Sequence, residues 1–166
     1  MEKINKIITE EQAFVRMARI CSQKECCSYD IERKLQKMCL PVHAVEKVVG
    51  RLKKEKYIDE NRFTRSFIHD KLQYNKWGRK KIELALRQKQ LPPGVIADAF
   101  SEFTDASLKE SLQPLLEKKW RSVKGRSEYE KKGRLIQYAL GRGFSMKDIL
   151  ACLKKMDIGE LPDETE

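Results

Sequence analysis

The chain repeats one pattern of apolar residues three times, and this repeat restricts its fold more than any other sequence feature. The first copy consists of Ile31, Leu35, Leu40, Pro41, Val45, Val48 and Val49. A second copy, 51 positions later, consists of Ile82, Leu86, Leu91, Pro92, Ile96, Ala99 and Phe100. The third, 53 positions further on, consists of Leu135, Ala139, Phe144, Ser145, Ile149, Cys152 and Leu153. No gap interrupts the compared blocks, so three equivalent structural units are expected.

Each copy has the apolar spacing of two helices, here called B and C, joined by a short turn. A third helix, A, precedes each pair, because Thr9, Asp59 and Thr104 are good N-cap residues. Ile58 and Phe63 are spaced for a hydrophobic staple across the Asp59 cap. Helices A, B and C are expected at 9–21, 28–38 and 41–55; then at 59–73, 78–89 and 92–101; and finally at 104–121, 126–141 and 145–155.

These units predict an all-α protein made of tandem helix-turn-helix-like repeats. The 166 residues include only 8 glycines and 5 prolines, and no β-type alternation is present. The predicted repeats occupy 1–58, 59–103 and 104–156, and an acidic tail follows at 157–166. Stacked in series, the repeats would share one continuous core within an elongated, curved body.

The turn between helices B and C carries its own signals. Pro41 and Pro92 are expected at the first position of helix C, where a missing N–H costs nothing. Gly143 is suited to a left-handed position after helix B. At the equivalent positions, Cys39 and Gln90 would adopt that conformation at a strain of about 1 kcal/mol, so another turn geometry stays open. Pro114 predicts either a kink near residues 110–113 of the third helix A or a division of that helix into two shorter segments.

The charge distribution favours an anionic partner. The formal net charge is +10, although the last ten residues carry five carboxylates and no basic side chain. A basic body suits nucleic acid or an acidic protein surface, and the alternative is a solvated, lysine-rich helical surface.

Two basic clusters, 76–89 and 118–134, are the candidate interface with a filament or nucleic acid. Trp77 and Trp120 flank them, either to stack on single-stranded bases or to pack inside the protein. Lys89 and Arg142 also suit the last turn of a helix, where they would offset its dipole. The candidate residues are Lys76, Arg79, Lys80, Lys81, Arg87, Lys89, Lys124, Arg126, Lys131, Lys132, Arg134 and Arg142.

The sequence offers no catalytic, cofactor or metal constellation. His43 and His69 lie at unrelated positions, and Gly141-Arg142-Gly143 follows a helix, whereas a phosphate loop precedes one. Five cysteines without a C-x-x-C pair argue against disulfides and zinc; buried apolar thiols and an exposed Cys26-Cys27 loop pair are expected instead. Without an apolar run of membrane length or a signal peptide, a cytoplasmic monomer is expected.

Three segments of the chain resemble the RecX family of bacterial recombination regulators. The first two are Tyr57-Ile58-Asp59-Glu60-x-Arg62-Phe63 and Gly78-x-Lys80-Lys81-Ile82-x3-Leu86-Arg87-x-Lys89-x-Leu91. The third is Arg142-Gly143-Phe144-Ser145-x3-Ile149. Thr64 and Gln90 depart from the family pattern, which often has alanine and glycine there; the second departure leaves the B–C turn of the second unit open.

The resemblance implies a three-unit helical architecture and a non-enzymatic function. RecX-like proteins bind the RecA recombinase filament on single-stranded DNA and limit filament growth, strand exchange and co-protease activity. That role belongs to homologous recombination, DNA repair and the SOS response. Weaker binding to duplex DNA is compatible with it. The alternative is a helix-turn-helix transcriptional regulator, although helix C of the second unit, from Pro92 to Phe100, contains no basic residue.

Overall fold

The computed structural model describes residues 7–156, and the predicted acidic tail at 157–166 lies outside the described residues. Within 7–156 every regular element is helical. In chain order the elements are α1 (Glu10–Gln23), α2 (Ser28–Lys37), α3 (Val42–Lys54), α4 (Glu60–Asp70), a π-helical turn (Lys71–Asn75), α5 (Arg79–Gln88), α6 (Pro93–Ser101), α7 (Asp105–Lys109), α8 (Leu112–Ser122), α9 (Glu128–Gly141) and α10 (Met146–Lys155). None of these helices has the length and apolar character needed to cross a lipid bilayer.

The helix starts are fixed by the predicted cap residues. The Thr9 hydroxyl accepts a hydrogen bond from the Gln12 amide at 3.1 Å, and the Gln12 side chain accepts one from the Thr9 amide at 3.0 Å, which completes a capping box. The Asp59 carboxylate accepts from the Arg62 amide at 3.0 Å. The Thr104 hydroxyl likewise caps the start of α7. Local sequence therefore sets where each unit begins.

All three B–C turns have the same Schellman geometry, including the two whose geometry the sequence leaves open. The second residue after the helix is left-handed in each turn, with φ of 62° at Cys39, 59° at Gln90 and 97° at Gly143. The following amide bonds back to the helix, from Leu40 to Leu35, Leu91 to Leu86 and Phe144 to Ala139, at 3.2–3.4 Å. Burial of these three apolar side chains holds the turns closed.

The predicted proline positions in these turns are wrong by one residue. Pro41 and Pro92 are the N-cap residues of α3 and α6, and Pro93 occupies the first position of α6. The backbone of both prolines is extended, with ψ of 150° at Pro41 and 141° at Pro92, so each precedes the first helical residue.

Two helices A are irregular. The Pro114 prediction is confirmed, because the third helix A is divided at Glu110 and Ser111 into α7 and α8. The π-helical turn after α4 was not predicted. It ends at Lys76, a left-handed residue with φ of 56°.

The apolar side chains form three separate cores, so the expected single continuous core is wrong. One core belongs to α1–α3, the next mainly to α4–α6 and the last to α8–α10. Cys27, at the start of α2, and Leu108, in α7, cross over into the second core. Ile58 lies in the first core and Phe63 in the second, so the two do not form the predicted staple.

Candidate nucleic-acid interface

The start of α5 contacts the end of α9 directly, and this junction positions the most basic segment of the second unit. The Gly78 amide donates to the Arg142 carbonyl at 2.7 Å, and the Lys80 amide donates to the Gly143 carbonyl at 3.2 Å. A side chain at either glycine would collide with the opposing backbone, since a Cβ on Gly78 would lie 2.5 Å from the Gly143 carbonyl. The start of α5 and the end of α9 are thus in direct contact, although Gly78 and Gly143 lie 65 residues apart in the sequence.

The predicted cations Lys89 and Arg142 connect neighbouring units. They occupy equivalent positions of the repeat, each at the end of a helix B. The Lys89 ammonium binds both oxygens of Asp30 at 2.8 and 2.9 Å, and Arg142 donates to the Asn75 carbonyl at 2.7 Å. Their charged groups are therefore occupied by contacts within the protein. They do more than offset a helix dipole, and they are poor candidates for a phosphate contact.

Lys132 is removed from the candidate surface. Its side chain is only 3% exposed, and its ammonium is buried without a hydrogen-bond partner among the described residues. It faces inward because α9 uses the same side for Leu135 and Ala139, which are fully buried. The prediction that Lys132 contacts a filament or nucleic acid is wrong for this conformation.

The two tryptophans do not offer free faces for base stacking. Trp77 is half-buried against the second core, and the ammonium groups of Lys71 and Lys81 lie 4.8 and 4.6 Å from its ring centroid. Trp120 packs against the third core, with the Lys131 ammonium 5.4 Å from its ring. The packing alternative is thus confirmed for both tryptophans. No local spacing rule connects Lys71 with Trp77, and the candidate set lacked Lys71 for that reason.

Three predicted arginines are exposed but already engaged. Arg87 pairs with Glu83 at 2.9 Å, and Arg134 binds Glu130 at 2.9 Å and the Lys124 carbonyl at 2.7 Å. The Arg79 guanidinium lies over the Phe100 ring at 4.6 Å. Exposed ion pairs are weak, so Arg87 and Arg134 can exchange a carboxylate for a phosphate at small cost.

Four predicted cations are exposed and make no ion pair within residues 7–156: Lys76, Lys80, Lys124 and Arg126. The first two flank the start of α5, and the other two precede α9. Because the end of α9 contacts the start of α5, the two pairs lie at opposite ends of α9, roughly 20 Å apart by helix length. Such an arrangement can bind an extended anion better than a single phosphate.

The exposed aromatic residues are tyrosines. Tyr74, in the π-helical turn, is 79% exposed, and Tyr129, in the first turn of α9, is 64% exposed. Each lies close in sequence to one of the free cation pairs. They are better placed for stacking than either tryptophan.

Burial lowers the reactivity of three of the five cysteines, Cys21, Cys26 and Cys27, whereas Cys39 is exposed and Cys152 is partly buried. Cys26 and Cys27 are 4% and 0% exposed, so the expected exposed loop pair is wrong. Burial raises the pKa of the Cys21 and Cys27 thiols to about 12, which leaves them protonated and non-nucleophilic at neutral pH. Among residues 7–156 no three histidine, cysteine or acidic side chains lie close enough together to hold a metal ion.

Comparison with known families matches two of the three units. The family model for the second three-helix domain of RecX matches residues 59–99, and the model for the third three-helix domain matches residues 109–153.

Similar full-length proteins carry the same family name. The regulatory protein RecX of Oceanobacillus iheyensis is 26% identical over 145 residues, which are 87% of this chain and 52% of that protein. The one from Limosilactobacillus reuteri is 27% identical over 147 residues, covering 87% of this chain and 56% of its own. That of Prosthecochloris aestuarii is 29% identical over 133 residues, which are 80% of this chain and 85% of that protein. The chain thus spans about half the length of the first two relatives.

Two solved structures share the fold. A crystal structure of regulatory protein RecX superposes with a TM-score of 0.77 at 24% identity, covering 89% of this chain and 72% of that one. The crystal structure of RecX from Lactobacillus salivarius superposes with a TM-score of 0.75 at 20% identity, covering 90% of this chain and 97% of that one.

Proposed function

The chain belongs to the RecX family of regulatory proteins, and from this premise we propose that it binds the RecA filament on single-stranded DNA and limits filament growth. In this proposal it acts as a non-enzymatic inhibitor of strand exchange and of the co-protease activity. The proposal keeps the division into units at 1–58, 59–103 and 104–156, with the second and third units contacting the filament.

The observation that carries the proposal is the pair of free cation groups at the two ends of α9. Each nucleotide of one DNA strand advances by about 3.4 Å along the helix axis in a duplex, and by more when the strand is stretched. A separation of roughly 20 Å therefore corresponds to several nucleotides along one strand. Lys76 and Lys80 would contact one part of the strand, and Lys124 and Arg126 another.

Contacts between the second and third units hold the distance between the two cation pairs constant. Lys80 is fixed through its own amide, which bonds the Gly143 carbonyl at the end of α9. The Lys89–Asp30 pair joins the first unit to the second in an equivalent place. Units that are held in one relative orientation can bind one state of the filament more tightly than another. This difference in affinity shifts the equilibrium between the two states.

A charge-reversal experiment tests the interface. We expect Lys80→Glu combined with Lys124→Glu to weaken binding to a RecA-coated oligonucleotide by about tenfold or more, since two attractions become repulsions. The control is Lys47→Glu with Lys54→Glu, the same charge change at two exposed positions of α3.

Two outcomes would contradict the placement of the interface. One is equal affinity of the test and control variants at matched salt. The other is an unchanged dependence of affinity on salt concentration, because each lost phosphate contact lowers the salt slope by about one. Circular dichroism checks that both variants keep their helices.

The helix-turn-helix regulator is the weaker reading. A recognition helix reads base edges with basic and amide side chains. In the second unit α6 contains none, because its sequence is Pro-Gly-Val-Ile-Ala-Asp-Ala-Phe-Ser. A discrete footprint on duplex DNA would favour that reading over filament binding.

A further inference from the structure

A groove of about 410 Å³ lies between the second and third units. Its walls come from the π-helical turn on one side and from α7 and α8 on the other. The lining includes Leu72, Lys76, Glu110, Pro114, Leu115 and Lys118.

The groove owes its shape to an irregular backbone on both walls. On one side the π-helical turn ends at the left-handed residue Lys76, a conformation that costs about 1 kcal/mol for a residue with a side chain. On the other side the chain breaks at Glu110 and Ser111, ahead of Pro114. Regular helices would pack more closely here, and backbone irregularities of this kind concentrate at binding sites.

The lining combines an apolar floor with cationic rims. Leu72 is 7% exposed and Leu115 is partly buried, so the floor is apolar and fixed by the cores beneath it. Lys76 and Lys118 are exposed on opposite walls and form no ion pair with a carboxylate within residues 7–156. The volume lies in the range of pockets that hold a compact ligand or a few side chains.

We propose that this groove binds an acidic peptide segment of a partner protein, in which one apolar side chain occupies the floor and flanking carboxylates pair with Lys76 and Lys118. In interfaces generally, a few anchor side chains that fill a desolvated pocket contribute most of the binding energy, and the surrounding contacts exclude water. Lys76 is shared with the proposed DNA contact, whereas Lys118 and the apolar floor take no part in that contact, so the inference goes beyond it.

Charge and shape favour a peptide over nucleic acid in this place. The Glu110 carboxylate lies on the wall of the groove and would repel a continuous run of phosphates. Leu72, Pro114 and Leu115 suit an aliphatic side chain, and Gln73, Ser107 and Ser111 also line the groove and offer hydrogen-bond partners to a peptide backbone. A short peptide can place its carboxylates at the lysines and leave the position opposite Glu110 neutral.

Fluorescence polarisation with a synthetic probe tests the proposal on the full chain. The probe is a fluorescein-labelled octapeptide, Gly-Asp-Glu-Leu-Leu-Asp-Glu-Gly, and its partner probe replaces both leucines by asparagine. We expect saturable binding of the first probe below about 1 mM and at least fivefold weaker binding of the second, because asparagine forfeits the burial of leucine on the floor.

Lys118→Glu is the decisive variant, because Lys118 lies on the groove and outside the proposed DNA contact. We expect it to weaken probe binding by about tenfold, whereas the matched variant Lys47→Glu leaves probe binding unchanged. Binding of an oligo-dT strand should be the same for both variants. Thermal unfolding followed by circular dichroism confirms that each variant is folded.

Three results would overturn the inference. The first is no saturable binding of the leucine probe up to about 1 mM. The second is equal loss of probe binding in Lys118→Glu and Lys47→Glu, which would indicate attraction by net charge alone. The third is displacement of the probe by an oligo-dT strand, together with weaker binding of that strand by the Lys118→Glu variant. This result would assign the groove to nucleic acid. None of these results depends on whether the chain regulates RecA.

Discussion

Replacing Gly78 by alanine should separate the second and third units. The backbone of Gly78, with φ of −86° and ψ of 168°, is allowed for any residue, so alanine meets no conformational penalty there. Its Cβ would, however, lie 2.5 Å from the carbonyl carbon and oxygen of Gly143 and 2.6 Å from the Phe144 nitrogen. All three are backbone atoms, so the units must move apart.

The magnitude follows from the bonds that this movement breaks. Overpacking at a rigid contact costs about 1–3 kcal/mol. The hydrogen bonds from Gly78 to Arg142 and from Lys80 to Gly143 contribute about 0.5–1.5 kcal/mol each. Because an outward shift relieves the clash while it lengthens both bonds, we expect a loss of about 2–4 kcal/mol in the free energy of unfolding. For a chain of this size the midpoint of thermal unfolding would then decrease by roughly 5–10 °C.

Urea denaturation followed by circular dichroism measures the change, and two other glycines provide controls. Gly50 and Gly133 lie inside α3 and α9, and a Cβ on either would meet no atom within 4 Å. Alanine at these two positions should stabilise the chain by up to about 1 kcal/mol, because glycine weakens a helix interior. A Gly78→Ala variant within about 0.5 kcal/mol of the wild type would refute the close contact between the units.

Three further predictions concern the buried Lys132 ammonium, the Asp30–Lys89 ion pair and the buried thiols. Lys132→Met should stabilise the chain by about 1–3 kcal/mol in urea denaturation, because it removes a buried ammonium without a partner; a destabilised variant would show that the ammonium is satisfied. A double-mutant cycle of Asp30→Asn and Lys89→Met should give a coupling of about 1 kcal/mol, and zero coupling would contradict the inter-unit pair. Stability should decrease as pH rises above 9, because the Cys21 and Cys27 thiols have their pKa raised from 9.0 to about 12 and keep protons that the unfolded chain loses. Cys27→Ala should flatten that alkaline slope, and an equally steep slope would contradict the burial of this thiol.

Helix positions could be predicted from the sequence because they depend on local signals. Cap residues, apolar spacing and the repeat itself all act within a few residues, and each predicted helix has a counterpart in the structure. The kink before Pro114 followed from the same local chemistry. The left-handed conformation of Cys39 and Gln90 was harder to predict, because its strain is compensated by burial of the leucine that follows each residue.

The candidate interface was less predictable because burial depends on contacts between distant residues. Arg79 and Lys132 occupy equivalent positions of the repeat, 53 residues apart, yet Arg79 is exposed and Lys132 is buried. The difference arises because α5 begins at Arg79, whereas α9 begins at Glu128, one turn before Lys132. A charge count along the sequence cannot distinguish the two environments.

Contacts between units and tertiary contacts within one unit account for the remaining differences. Lys89 was a candidate for a phosphate, but its partner Asp30 lies 59 residues away and no sequence rule joins them. Trp77 was a candidate for base stacking, but Lys71 and Lys81 already lie against its ring. The side chains of the four free cations, Lys76, Lys80, Lys124 and Arg126, have no carboxylate partner among residues 7–156, either in their own unit or in a neighbouring one.

The most direct test of the account is the rate of DNA-dependent ATP hydrolysis by the RecA protein of the same host. The chain is titrated against filaments on single-stranded DNA, together with the Lys80→Glu, Lys124→Glu variant and the Lys47→Glu, Lys54→Glu control. We expect the wild type and the control to reduce hydrolysis at fewer than one molecule per RecA, and the Lys80→Glu, Lys124→Glu variant to require about tenfold more protein. Unchanged hydrolysis with equimolar wild-type protein would contradict the proposed function.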